Sequence, residues 1–327
     1  MRNALALLIA FGAIVLPFSA HAQTLGAAPL TISVSPEFPE PYQTVTVTPR
    51  STLINLAAST VTISVNGKVI SSNSGGASAS FQMGGPGQAA VVTVSAAGPD
   101  GAQEASVTLR PSNISLIVEP MSVTHPLYEG GSLLAPEGRV RLIAIADMRT
   151  GAGTPIAPAN LVYNWQLGNQ QLQAQSGVGK SVLTATGPLL YREAAITVTV
   201  STPDGSASGQ SRTVLEPVDQ QLLVYRNSPL LGPDFSKAIA GETSLPEGED
   251  SFRAVPYFFP SLPDFSWSVN GTPSGTEQVI TVRSNGDGAG SALLSVEASQ
   301  AGSYLAASNS FTVRFGEDTG IFDFFGL

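Results

Sequence analysis

Eight residues near the C-terminal end of the chain, "DFSWSVNG" (264–271), carry the clearest structural signal in the sequence. Apolar side chains at Phe265, Trp267 and Val269 alternate with polar ones, as in a β-strand that buries one face. The Asn-Gly pair that follows is a strong signal for a two-residue hairpin turn. We therefore predict a strand that buries Trp267 and then reverses. The alternative is a tryptophan that lines a binding or catalytic pocket.

The pattern of this stretch recurs twice upstream, which argues against a pocket that occurs once. Three segments align on the residue before the turn, which places Ile63, Trp165 and Trp267 in register 102 residues apart: "STVTISVNGKVI" (59–70), "NLVYNWQLGNQQL" (160–172) and "PDFSWSVNGTPS" (263–274). Each copy continues with a Gly/Ser-rich piece, a strongly alternating strand and a final strand. Repeats of this kind constrain the fold more than any single motif.

A unit of about 100 residues, with short alternating strands and frequent turn signals, is typical of a β-sandwich. In such a unit a tryptophan on the third strand packs between the two sheets. We assign this core position to Trp165 and Trp267, and to Ile63 in the first copy. Because isoleucine is smaller than tryptophan, we expect the first copy to have the smallest core and the lowest stability.

The "Y-x-W…G" strand, the "SGxG" step and the "V-x-V-x-V-S-x-P-D-G" strand-turn resemble the immunoglobulin-like and PKD-like domains of exported bacterial surface proteins. Over residues 30–316 the chain resembles a three-domain family of such proteins, of unknown role, from small-genome bacteria. The resemblance implies display at the cell surface or in the periplasm, and it brings no catalytic residues. Two family features are missing: the acidic "FGDG" step of PKD repeats and the inter-sheet cysteine pair of antibody domains.

The first 22 residues have the form of a secretory signal peptide: a charged start, an apolar run and a small-x-small site ending at Ala22. An uncleaved membrane anchor is the alternative. We predict an all-β chain of three tandem immunoglobulin-like β-sandwich domains after a cleaved signal peptide. The predicted ranges are 1–22 for the signal peptide, 23–112, 113–217 and 218–316 for the domains, and 317–327 for a C-terminal tail.

The composition excludes several classes of function. Loss of Arg2 with the signal peptide leaves 14 basic and 24 acidic residues from the 15 and 24 of the whole chain, a formal charge of −10. An acidic chain without a basic block is unsuited to nucleic acid or to anionic lipid. No later run is apolar and long enough for a spanning helix, so we expect no transmembrane segment in the mature chain.

Residues for catalysis or metal binding are scarce. His125 is the only histidine after residue 22, and the chain has no cysteine, so a zinc site of His and Cys ligands is excluded. The acidic clusters at 246–250 and 284–288 lack the ligand spacing of a calcium loop, and no carboxylate pair suits a glycosidase. We therefore predict no catalytic residue, no metal and no cofactor.

Two apolar features remain as a candidate surface for a partner or ligand. One is the aromatic-proline run "VPYFFPSLPDFSW" (255–267), which contains Tyr257, Phe258 and Phe259. The other is the tail, and its apolar candidates are Ile321, Phe322, Phe324 and Phe325. The run is either core plus a proline loop, or a ligand surface at one end of the third copy. The tail folds back, docks on a partner or touches a membrane.

These observations favour an exported, non-catalytic structural or interaction protein of the cell envelope, acting as a spacer, adhesion or presentation module. The expected location is periplasmic, cell-surface or extracellular, and the expected partner is a protein or another envelope component. The alternative is a glycan-binding module that uses the aromatic-proline run, which requires an exposed row including Tyr257 and Phe259.

Overall fold

The computed structural model describes residues 30–316, except for residues 100, 127, 246–247 and 286–287. The predicted signal peptide and the tail candidates Ile321, Phe322, Phe324 and Phe325 lie outside the described residues. Those residues form 24 β-strands and three short 3₁₀ helices at Leu56–Ala58, Pro158–Asn160 and Gln173–Gln175. The strands build six sheets, and the all-β prediction is confirmed.

The first two sheets form what we call the first sandwich. Its strands are β1 (Thr31–Ser35), β2 (Thr44–Arg50), β3 (Thr60–Val65), β4 (Lys68–Ser74), β5 (Ala79–Gln82), β6 (Ala90–Gly98) and β7 (Gly101–Leu109). One sheet has the order β1-β2-β5 and the other β4-β3-β6-β7. This division of seven strands between two sheets is that of an immunoglobulin-like sandwich.

The second sandwich also divides its strands between two sheets, here three and five. Its strands are β8 (Asn113–Pro120), β9 (Arg139–Asp147), β10 (Val162–Leu167), β11 (Gln170–Gln171), β12 (Gly177–Val178), β13 (Val182–Thr186), β14 (Ala194–Ser201) and β15 (Ser208–Leu215). One sheet has the order β13-β9-β8, and the other has the order β11-β10-β14-β15 with β12 also paired to β10.

The third sandwich has two additional short strands near its start. Its strands are β16 (Gln221–Ser228), β17 (Gly232–Pro233), β18 (Gly241–Ser244), β19 (Glu249–Tyr257), β20 (Asp264–Val269), β21 (Thr272–Gly275), β22 (Val279–Arg283), β23 (Gly290–Ser299) and β24 (Ala306–Phe315). The sheets have the orders β17-β16-β19-β22 and β18-β24-β23-β20-β21. Strand β18 runs parallel to β24, and it is the only parallel pairing among the described strands.

Each sandwich has its own apolar core, because alternating side chains from its two sheets meet in the middle. Ile63, Trp165 and Trp267 occupy equivalent places, opposite Val94, Val198 and Val296 of the neighbouring strand. All three are at most 1% exposed. Each indole N–H also donates to a backbone carbonyl, from Trp165 to Lys180 at 2.8 Å and from Trp267 to Glu277 at 2.9 Å.

The hairpin turns explain why the repeated stretch keeps its register. Asn270 and Gly271 have φ values of 50° and 80°, which is the geometry of a type I′ turn. The Asn270 side chain then accepts from the N–H of Leu293 at 2.9 Å, on the adjacent strand β23. Asn66 makes the same bond to the N–H of Val91 at 2.8 Å in the first sandwich. The turn residue therefore ties the hairpin to a third strand.

Candidate interaction site at the junction of the second and third sandwiches

The first part of the aromatic-proline run, residues 255–259, lies at the end of β19 and is buried on both faces of the strand. Phe252 and Ala254 point into the core of the third sandwich, so Val255 and Tyr257 point to the outer side of the sheet. Phe258 has a φ of 62°, which interrupts the alternation and places its ring beside Tyr257. A positive φ costs a bulky residue about 1–3 kcal/mol, so surrounding contacts must hold it.

Those contacts come from the second sandwich, through the 18-residue connection between β8 and β9 (121–138). We call residues 121–126 and 128–134 of this connection the strap. Within the strap, the N–H of Val123 donates to the carbonyl of Phe259, and the N–H of Phe258 donates to the carbonyl of Val123, both at 2.8 Å. These two bonds make an antiparallel β-bridge, which is the one pairing between sandwiches among the described residues.

The strap also supplies rings that cover the outer face of the third sandwich. The Tyr128 ring lies 5.5 Å from Tyr257 and 5.7 Å from Phe258, measured between centroids. His125 packs on Phe235 at 3.8 Å. Offset and edge-on pairs of Tyr and Phe rings at centroid distances of 4.5–7 Å, such as those of Tyr128, add about 0.5–1.5 kcal/mol each beyond the area they bury.

The hydroxyl groups of this cluster are also partly satisfied within it. Tyr257 and Tyr225 share a hydrogen bond at 3.3 Å, in which either oxygen donates. Burial, followed by this hydrogen bond, raises the pKa of the Tyr257 hydroxyl well above its usual range. The ionised form is therefore excluded at ordinary pH, and the pair serves as packing with a neutral hydrogen bond.

Two further contacts join the sandwiches beside the bridge. The N–H of Val218 donates to the carbonyl of Leu134 at 3.0 Å. The N–H of Leu190 reaches the Tyr304 hydroxyl at 3.4 Å, at the same end of the third sandwich. The junction is therefore held at several separated points, which restricts rotation more than a single linker does.

The burial bears directly on the predicted ligand surface. Tyr257, Phe258 and Phe259 are 4%, 2% and 0% exposed, so they do not form an exposed row. The reason is that the strap covers the outer face of the sheet, while Phe259 enters the core of the third sandwich. The strap was not identified from the sequence. Its length could have pointed to it, because connections longer than about 12–15 residues usually have a function.

The described residues contain no cluster of three or more His, Cys, Asp or Glu residues that could hold a metal ion. A cavity of about 320 Å³ lies beside β16 and β18, between Arg226, Lys237, Asp234 and Glu242. Within this cavity Arg226 is paired with Asp250 at 2.9 Å.

One buried polar group stands out in the second core. The Tyr163 side chain is 0% exposed, and its hydroxyl has no hydrogen-bond partner among the described residues. Burial raises the pKa of this hydroxyl. The group is enclosed by apolar side chains of the core, so it is a cost to stability rather than part of a site.

No family model and no curated protein matches the chain. Among solved structures, it is similar to the three N-terminal domains of the Highly Immunogenic Outer Capsid protein of bacteriophage RB49, at 13% identity, covering 89% of this chain and 99% of that one, with a TM-score of 0.26. It is also similar to immunoglobulin domains 1–5 of Sidekick-1 (13% identity, 90% and 60% covered, TM-score 0.33). A third is the central fibronectin-III array of RIM-binding protein (10% identity, 90% and 100% covered, TM-score 0.30).

These neighbours are arrays of domains, but their TM-scores lie below 0.5. The class of the fold, immunoglobulin-like β-sandwiches in tandem, therefore rests on the strand orders and core positions given above. Among the described residues there is also no apolar helix of the length that a membrane span needs.

Proposed function

We propose that the chain is an exported, non-catalytic structural or interaction module of the cell envelope, which spaces or presents a binding element. The observation that carries the proposal is the bridge between Val123 and Phe259 with the aromatic contacts around it. A module that holds a binding element at a distance requires junctions that resist bending. The junction of the second and third sandwiches is supported by backbone pairing, by aromatic packing and by the hydrogen bonds at Val218 and Leu190.

The first junction has contacts of its own, which support the same role. Ser112 lies in the short connection between β7 and β8, and its N–H donates to the carbonyl of Pro39 in the first sandwich at 3.2 Å. The backbone at Gly87 approaches Arg149 so closely that an added Cβ would lie 2.8 Å from its Cβ. Three domains of about 34 Å in line would reach roughly 100 Å. The ranges 23–112, 113–217 and 218–316 are part of this proposal.

Two elements outside the described residues complete the proposal. Residues 1–22 direct export and are removed, and the tail 317–327 docks on a protein or another envelope component. The glycan-binding alternative loses its basis at Tyr257 and Phe259, because both are covered within the chain.

Small-angle scattering of the purified chain tests the spacer role. We expect a maximum dimension of about 100 Å, the length of three domains in line. A compact particle about half that long would contradict a spacer. N-terminal sequencing of the chain recovered from the envelope fraction tests export, with Gln23 expected as the first residue. A chain that keeps Met1 and stays in the cytoplasm would contradict it.

A pull-down from envelope extract with and without residues 317–327 tests the tail separately. We expect the intact chain to retain a component that the shortened chain does not retain. Equal recovery by both chains would contradict a docking role for the tail, and it would leave the spacer role to the scattering experiment.

A further inference from the structure

The turn between β13 and β14 places a tyrosine at a backbone position that favours glycine. The N–H of Arg192 donates to the carbonyl of Leu189 at 3.1 Å and closes the turn, and its third residue, Tyr191, has a φ of 59°. Left-handed backbone strains a bulky residue, so it persists only where packing or function requires it. Tyr191 is 84% exposed, so packing in a core does not account for it.

The first sandwich builds the equivalent turn with a glycine. Between β5 and β6 the N–H of Gln88 donates to the carbonyl of Gly85 at 3.0 Å, and the third residue is Gly87, with a φ of 78°. That turn packs against the second sandwich, where a Cβ added to Gly87 would lie 2.8 Å from the Cβ of Arg149. Tyr191 therefore stands where glycine would relieve the turn of strain, which indicates a role for its side chain other than folding.

A second exposed tyrosine lies beside this turn, on the other side of the junction. Tyr304 belongs to the loop between β23 and β24 of the third sandwich and is 57% exposed. Its hydroxyl accepts from the N–H of Leu190 at 3.4 Å, while the Tyr191 hydroxyl donates to Oδ1 of Asp219 at 3.4 Å. Both hydroxyls are engaged within the chain, so what the two residues expose is mainly ring surface.

Apolar and polar side chains border the two rings. Leu189 in the turn is 48% exposed, and Leu262 in the loop between β19 and β20 is 63% exposed. The Ser261 hydroxyl donates to Oε1 of Gln300 at 3.2 Å, which ties that loop to the β23–β24 loop and leaves the Gln300 amide N–H groups as donors. Asp219 retains acceptor capacity, because a carboxylate accepts about four hydrogen bonds. We call the following six residues the junction patch: Leu189, Tyr191, Asp219, Leu262, Gln300 and Tyr304.

We propose that the junction patch binds a neutral oligosaccharide built from N-acetylated sugars. The face of a tyrosine ring carries partial negative charge, which attracts the polarised C–H groups on the face of a pyranose ring. The hydroxyl and acetamido N–H groups of the sugar are donors for Asp219, and the acetamido carbonyl accepts from Gln300. The acetamido methyl group suits the apolar surface of Leu189 and Leu262.

The size and charge of the patch favour this ligand over two others. A stable protein–protein complex covers about 800 Å² and roughly 20–30 residues on each partner, whereas the patch consists of six residues around a junction. A phosphate or sulphate ligand requires cations. Arg192 beside the turn is followed by Glu193, and the Asp219 carboxylate would repel an anion.

The patch gives the fixed junction a second role. Tyr191 belongs to the second sandwich and Tyr304 to the third, so the β-bridge between Val123 and Phe259 also fixes the separation of the two rings. The inference goes beyond the spacer role, because the purified chain would bind an oligosaccharide whatever its export or length. We expect a Kd of about 0.1–1 mM, since an exposed patch buries only part of its ligand.

Nuclear magnetic resonance titration of the purified chain with tetra-N-acetylchitotetraose tests the inference. Tyr191→Gly introduces the residue that the first sandwich has at this place. We expect it to weaken binding about tenfold or more and to leave the midpoint of thermal unfolding equal or raised, since glycine relieves the positive-φ strain. Tyr42→Gly is the matched control and should bind like the wild type. Tyr42 also has a positive φ, 63°, and is 65% exposed, but it lies in the first sandwich.

Tyr304→Leu provides a second variant, in the third sandwich. It keeps apolar bulk and removes the ring, so we expect binding about tenfold weaker with unchanged thermal unfolding. A wild type without saturable binding at about 10 mM oligosaccharide would overturn the inference and leave the patch to a protein partner. Wild-type affinity in Tyr191→Gly or Tyr304→Leu, or an equal loss in Tyr42→Gly, would also overturn it. A lowered unfolding midpoint in Tyr191→Gly would show that the tyrosine serves the fold instead.

Discussion

Val123 of the second sandwich and Phe259 of the third are paired in an antiparallel β-bridge, with the Val123 N–H donating to the Phe259 carbonyl at 2.8 Å. The partners lie on either side of a junction, so the bridge extends hydrogen bonding from one sandwich to the next. It also holds Phe258 in its positive-φ conformation, because the N–H of Phe258 donates to the carbonyl of Val123. Geometry at the junction and packing of the third sandwich are therefore coupled.

The first prediction concerns this coupling. Val123→Pro removes the N–H that donates to Phe259, so we expect the bridge to be lost and the junction to loosen. Calorimetry should then resolve the unfolding of the second and third sandwiches into separate transitions. Val123→Ala is the control, since it shortens the side chain and keeps the N–H. Unchanged cooperativity in Val123→Pro would show that the bridge does not couple the sandwiches.

The second prediction uses the two tryptophans, one in each core. Trp267→Ala should destabilise the third sandwich by about 3–5 kcal/mol, because it leaves a cavity and removes the bond to the Glu277 carbonyl. Trp165 is then the only tryptophan in the chain, so its fluorescence reports the second sandwich alone. We expect the free energy of unfolding that Trp165 reports to fall by less than that of the third sandwich. A shift of equal size in both would mean that the two sandwiches unfold as one cooperative unit despite their separate cores.

The positions of these tryptophans were accessible from the sequence because alternation is a local property. Every second residue of 264–269 faces the core, and an Asn-Gly turn fixes where the strand ends. The burial of Tyr257 and Phe258 could not be predicted from local alternation. It depends on Tyr128, which lies far away in the chain and belongs to the preceding sandwich. A local pattern shows which residues share a face, but it does not show which distant segment covers that face.

The outer face of β9 shows the same limit. Arg141, Ile143 and Ile145 read in the sequence as one side of a half-buried strand. Their exposure was not deducible, because the third sandwich buries an apolar face at the same place in the fold. The difference arises from two coverings: the Tyr128 ring of the strap, and Phe235 and Ala238, which the long connection between β16 and β19 brings over that face.

The third prediction concerns the Tyr163 hydroxyl, which is buried and has no partner among the described residues. Tyr163→Phe removes this polar group and keeps the ring, so we expect the second sandwich to gain up to about 1 kcal/mol. Denaturant unfolding of Trp267→Ala with and without Tyr163→Phe, followed by Trp165 fluorescence, measures the change in the second sandwich. Tyr225→Phe is the comparison, because that hydroxyl has a partner in Tyr257 and its removal should destabilise. A loss of stability in Tyr163→Phe would indicate that the hydroxyl is satisfied.

The fourth prediction is the response to alkaline pH. Burial and the hydrogen bond to Tyr225 raise the pKa of Tyr257 in the folded state, so the folded chain holds this proton more tightly than the unfolded chain. The contribution of Tyr257 to stability is then complete below the unfolded pKa of about 10. It is lost above that value as the pH rises toward the folded pKa, at up to about 1.4 kcal/mol per pH unit.

Tyr257→Phe should therefore flatten the decline in stability between about pH 10 and 11.5, even though it costs the hydrogen bond to Tyr225 at neutral pH. Denaturant unfolding at a series of pH values measures the slope. Tyr42→Phe is the matched control, because the Tyr42 side chain is 65% exposed and lies outside the junction of the second and third sandwiches. Equal slopes for the wild type and Tyr257→Phe would mean that Tyr257 ionises in the folded chain, and that the strap leaves its hydroxyl open to solvent.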